Sequence, residues 1–164
     1  MILPYIFSIL IALLALVIQG TEAINIAGKK PDLVFIFVVY IGYSFGSFYG
    51  EIAGFVTGLC HDSISRSPLG LLTLPKVVIG FMAGMFGRSV IKNTVPTVML
   101  LIFVASLLKG ILMLFLCYIF HQTLLASVIQ VIIPEALYNA ILSPPLFFIF
   151  DRVYRGELER EGYL

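Results

Sequence analysis

The sequence predicts an all-α integral membrane protein, a bundle of six transmembrane helices, or five if the third is re-entrant. Composition is the first reason: of 164 residues, 60% are hydrophobic and 12% charged, against about 45–50% and about 25% in a soluble domain. One soluble core of this size cannot hold so large an apolar excess, so lipid is the solvent for most of the chain. The second reason is length, since at ~20 residues per spanning helix the chain has room for five or six spans and no extramembrane domain. Residues 1–164 therefore read as a single transmembrane domain.

The first helix is expected over 2–20, with Pro4 tolerated in a first turn whose amides lack intrahelical partners. No basic n-region precedes this run, and it exceeds a signal h-region, so it reads as a retained span. A polar loop from Thr21 to Asp32 closes on the helix-start signal Pro31-Asp32. The second helix is expected over 33–49, with Gly42, Ser44, Gly46 and Ser47 offering a face that a neighbour can approach closely. The third, over 50–63, places Gly50, Gly54 and Gly58 at four-residue intervals leading to Asp62. A turn follows through Pro68, and the fourth helix is expected over 69–91 with a kink at Pro75. The fifth, over 96–121, should be interrupted at Lys109-Gly110. The sixth, over 126–154, should bend or break at Pro134 and Pro144-Pro145. A short charged tail completes the chain.

Net charge is +1 and no basic stripe occurs, which excludes a nucleic-acid partner. Cys60 and Cys117 read as small packing residues, and no cysteine–histidine spacing suits a metal. The sequence has no nucleophile with an evident base and no phosphate loop, so neither an enzyme nor a cofactor is expected. For six spans, Arg88, Lys92, Arg152, Arg155 and Arg160 fall on one side and Lys29, Lys30 and Arg66 on the other. That bias places both termini in the cytoplasm.

Charge at bilayer depth costs at least ~2.5 kcal/mol on insertion scales, so each intramembrane ionisable group needs a partner. Lys109 lies about 20 Å into the fifth helix and Glu135 about 14 Å into the sixth, at 1.5 Å per residue. Antiparallel neighbours bring them to similar depth, which suggests an ion pair. Snorkelling of Lys109, its pairing with Asp62, a ligand or partner contact and a proton relay are the alternatives. Asp62, at a helix C-terminus, gains nothing from the macrodipole. It should find donors in the following turn, such as Ser63, Ser65 and Ser67, with Arg66 as local counter-ion; a substrate or partner contact is the alternative. His61 reads as an interfacial polar residue. Asn139, beside Tyr138, reads as helix glue worth about 0.6–2 kcal/mol.

The run Gly54-Phe55-x-x-Gly58-Leu59-x-x-Asp62, followed by Pro68-Leu69-Gly70, resembles the signature of the MreD family of rod shape-determining proteins. The later Glu135 and Tyr138-Asn139, with prolines after them, are similar too, Asn139 matching a polar position of the family. The resemblance implies a non-enzymatic scaffold in the bacterial inner membrane, within the cell-wall elongation machinery. Its implied partners are a bitopic MreC-like protein, MreB filaments and peptidoglycan synthases, besides membrane lipid; a homodimer is left open. The mechanism expected from the residues has glycine-lined surfaces of helices two to four accepting partner helices, with the Asp62 turn setting the angle between the third and fourth.

The family in turn resembles the substrate-binding subunits of energy-coupling-factor transporters, so the rival function is vitamin binding. Those subunits dock through alanines four apart on the first helix, whereas Ala12 and Ala15 are three apart here. A proton-coupled carrier using Lys109, Glu135 and Asp62 is a third class, without the inverted repeat such carriers show.

Overall fold

The computed structural model describes residues 10–17, 31–65, 68–88, 94–120 and 125–160. Among them the helical segments are α1 (10–17), α2 (Leu33–Phe45), α3 (Ser47–Ser65), α4 (Thr73–Met85), α5 (Val95–Ile119), α6 (Leu125–Val153) and α7 (Arg155–Arg160). The remainder of the expected first helix, the loop to Lys30, and Arg66 and Ser67 lie outside the described residues.

α2 is the central element. It is apolar on every side, the pattern of a helix that buries its whole circumference, and Val34 to Ser44 are all buried. Asp32 caps it: its Oδ1 accepts from the Phe35 amide at 2.9 Å, satisfying one of the unpaired amides of the first turn. The helix ends at Gly46, whose φ of +97° is a left-handed conformation that favours glycine. The expected boundary at residue 49/50 therefore moves to Gly46, and Ser47 to Tyr49 belong to α3.

α3 and α4 lie against each other along their glycine faces. A Cβ on Gly54 would come within 2.6 Å of the Lys76 carbonyl oxygen, and one on Gly58 within 2.6 Å of the Thr73 Cα. Gly50 and Gly80 meet backbone to backbone. This corrects the expected groove: the glycine faces of α3 and α4 are filled by each other, leaving no slot there for a partner's helix. α4 is also shorter than expected, because residues 69–72 form a turn. Pro75 is its third residue, where the missing N–H has no intrahelical partner to lose, so no kink is required.

α5 runs unbroken through Lys109-Gly110, against expectation. Gly110 serves close packing instead, since a Cβ there would come within 2.7 Å of the Ile132 side chain of α6. α6 likewise continues through Pro134, Pro144 and Pro145. Pro144 deprives the Ala140 carbonyl of its helical donor, and the Ser143 hydroxyl replaces it at 2.8 Å. The charged tail continues as α7, which returns Leu158 to the core. Aromatic edges join α2 to α6: the rings of Tyr40 and Phe147 lie 5.1 Å apart at 88°, and those of Phe37 and Phe150 5.7 Å apart at 78°.

Two described helices are long and apolar enough to cross a membrane, Val95–Ile119 and Gln130–Val153. α2 and α4, with 13 residues each, are ~20 Å long at 1.5 Å per residue, short of a ~30 Å hydrocarbon core. α3 carries Glu51, His61 and Asp62. By length and composition, two helices among the described residues are candidate spans, where six were expected.

A buried charge network as the candidate functional site

Four charged side chains from four elements converge inside the bundle. Lys109 of α5 places its Nζ 2.5 Å from Glu135 Oε1 of α6 and 2.5 Å from Asp32 Oδ2 at the start of α2. Lys76 of α4 approaches the same Asp32 oxygen at 3.3 Å. The Lys76 ammonium also donates to His61 Nδ1 of α3 at 3.2 Å. An ammonium can only donate, so Nδ1 accepts and the imidazole carries its proton on Nε2. Lys76 is fully buried and Lys109 nearly so.

Asn139 closes the arrangement from α6. Its Oδ1 accepts from the Asp32 amide at 2.8 Å and its Nδ2 donates to Ser106 Oγ of α5 at 3.1 Å. Lys109 also lies 5.1 Å from the centroid of the Phe35 ring. Two ammoniums face two carboxylates, so the cluster is formally neutral. Such balance is what allows buried ions to persist in a medium of low dielectric. Its chemistry is cohesive: each member fixes the rotation of the helix that carries it. Among the described residues, no three His, Cys, Asp or Glu side chains group as a metal site would require.

The Asp62 turn adjoins the network through His61. Asp62 Oδ2 accepts from the amides of Gly70 (2.8 Å) and Thr73 (3.2 Å) and from the Thr73 hydroxyl (2.6 Å). Its Oδ1 accepts from the Leu72 amide at 2.9 Å. A single carboxylate at the end of α3 thereby serves the first, unpaired amides of α4. Gly70 reaches this position with φ of +101°, and Pro68 and Leu69 lead into it. The donors expected among Ser63, Ser65 and Ser67 prove to be farther along the chain: the Ser63 hydroxyl donates instead to the Leu59 carbonyl.

A second polar cluster binds the far end of α2. The Arg88 guanidinium pairs with Asp151 of α6 and donates to Ser44 Oγ at 3.2 Å. The Tyr40 hydroxyl donates to the same Asp151 oxygen at 2.9 Å. The rings of Tyr40 and Tyr43 face the guanidinium at 5.7 and 5.4 Å.

Of the residues singled out in the sequence, Lys109, Glu135 and Asn139 come together, and Asp62 and Gly70 meet in the adjoining turn. Lys109 turns to Asp32 and Glu135 rather than to Asp62. Gly54 and Gly58 line the inner face of α3, whereas Phe55 and Leu59 point outward, 54% and 40% exposed. Sequence reasoning missed the ionic role of Asp32 and overlooked Lys76, Tyr40, Arg88 and Asp151 as network members. A lone lysine inside the apolar run from Leu69 to Gly84 was the available signal for Lys76.

No curated protein and no solved structure matches the chain. The family model described as rod shape-determining protein MreD matches residues 1–156. The chain therefore belongs to the MreD family, a family of membrane proteins in rod shape determination.

Proposed function

We propose that this chain is a non-enzymatic, multi-pass scaffold of the inner membrane. It binds a bitopic MreC-like protein and so links MreB filaments in the cytoplasm to peptidoglycan synthases, with both its termini in the cytoplasm. Family membership supports the role in shape determination. The observation that supports a scaffold is the division of labour between inside and outside. The buried charges are spent on one another, while large apolar side chains such as Ile52, Leu100, Ile111, Phe115, Ile141 and Phe148 face outward. Apolar exposure on this scale suits lipid and other membrane helices.

The test is affinity purification of the tagged, full-length protein from gently solubilised native membranes, with mass spectrometry of what accompanies it. Recovery of an MreC-like bitopic protein supports the reading. Recovery of ABC-type ATPases with a transmembrane coupling subunit would overturn it in favour of vitamin transport. Recovery of neither would also end it.

A further inference from the structure

The outer face of α3 repeats apolar residues at steps of four, three and four: Phe48, Ile52, Phe55 and Leu59, all exposed. That is the spacing of the seam along which two helices interlock side chains. The inner face of the same helix is already committed to α4 through Gly50, Gly54 and Gly58. Glu51 lies on the outer side between Phe48 and Phe55, one turn into the helix. Its neighbour Gly50 packs on Gly80 of α4, and Ser47, one turn earlier, packs on Gly84. Glu51 is exposed and, among the described residues, has neither an ion pair nor a hydrogen-bonding side-chain partner. A carboxylate on an apolar face of a membrane protein is costly unless a partner meets it.

We propose that this face of α3 is the docking surface for a partner's membrane-spanning helix that carries a lysine or arginine level with Glu51. The proposal rests on the scaffold reading and names the surface it uses. Charge decides between a foreign helix and a second copy. Two copies in one bilayer share an orientation, so a symmetric pair has its two-fold axis along the membrane normal. The two seams would then bring Glu51 against Glu51 at equal depth, and like charges at an interface oppose association. A cationic residue on a different chain removes the conflict and completes the seam.

The experiment places a photo-activatable benzoylphenylalanine at Phe55 of the tagged, full-length chain, with a second chain labelled at Phe115 on α5 as reference. Irradiation in native membranes should join the Phe55 probe, and not the Phe115 probe, to the bitopic protein recovered with the unlabelled chain. Glu51→Lys should lower recovery of that protein ~10-fold or more, and reversing one basic residue of its spanning helix to glutamate should restore it. If Glu51→Lys does not accumulate as a folded protein, the Phe55 probe, which retains Glu51, still decides. Products at Phe55 that contain only lipid, or a second copy of the chain, would overturn the proposal. So would unchanged recovery with Glu51→Lys. In each of those cases the scaffold reading stands if the native chain still recovers its partner, and falls only if it does not.

Discussion

At the residue scale, Asp62 carries more of the local structure than its position at a helix end suggests. One carboxylate accepts from three amides and a hydroxyl. Asp62→Ala leaves those donors without their acceptor and should cost about 3 kcal/mol, read as a lowered Tm of the detergent-solubilised protein. Asp62→Asn, which keeps one acceptor oxygen, should fall between; an unchanged Tm for Asp62→Ala would refute the clamp. Lys109 obeys the logic of buried ions. Lys109→Met leaves Asp32 and Glu135 to share Lys76 and should cost about 3–5 kcal/mol. Lys109→Met combined with Glu135→Gln restores neutrality and should be milder than the single change. A double-mutant cycle on thermal unfolding checks this, and equal loss in single and double variants would count against the pair.

At the scale of elements, the contact between α3 and α4 depends on having no side chain at Gly58, where the Thr73 backbone stands in the way. Gly58→Leu should separate the two helices and abolish a monodisperse peak in size-exclusion chromatography, with or without a partner present. A folded Gly58→Leu protein that had merely lost its partner would instead restore the groove idea. Within α6, the Ser143 hydroxyl replaces the donor that Pro144 lacks. Ser143→Ala should lower stability by about 1 kcal/mol, seen as a small drop in Tm, whereas Ser143→Thr should keep the bond. Prolines alone suggested a broken helix; a serine one residue earlier keeps the ladder supplied, and neighbouring helices support the rest.

At the scale of the molecule, two polar clusters hold α2 at its two ends. Asp32, Lys76, Lys109 and Glu135 converge at one, and Arg88, Asp151 and Tyr40 at the other. Between them α2 is buried from Val34 to Ser44, so its neighbours are fixed in rotation by charge and in distance by side-chain volume. Arg152, Arg155 and Arg160 cluster near the end of the chain, and that bias is the basis for a cytoplasmic C-terminus. A green fluorescent protein fused after Leu164 should therefore be bright, since it matures in the cytoplasm. A dark fusion, with an alkaline phosphatase fusion active at the same position, would reverse the orientation.

The sequence by itself determined the all-α class and the family. Composition and apolar periodicity are properties of the chain that do not depend on which helix meets which. It also determined that Lys109, Glu135 and Asp62 needed partners, because the cost of an ion in lipid is independent of fold. Which partners they took was decided by the tertiary structure. Asp32 and Lys109 lie 77 residues apart and Asp32 and Lys76 lie 44 apart, and no local pattern encodes a meeting across such distances. Helix ends were decided there too: a glycine marks a break when its φ is positive, as at Gly46, and a close contact when it is helical, as at Gly110. The two are the same letter in the sequence, and only the neighbouring backbone distinguishes them.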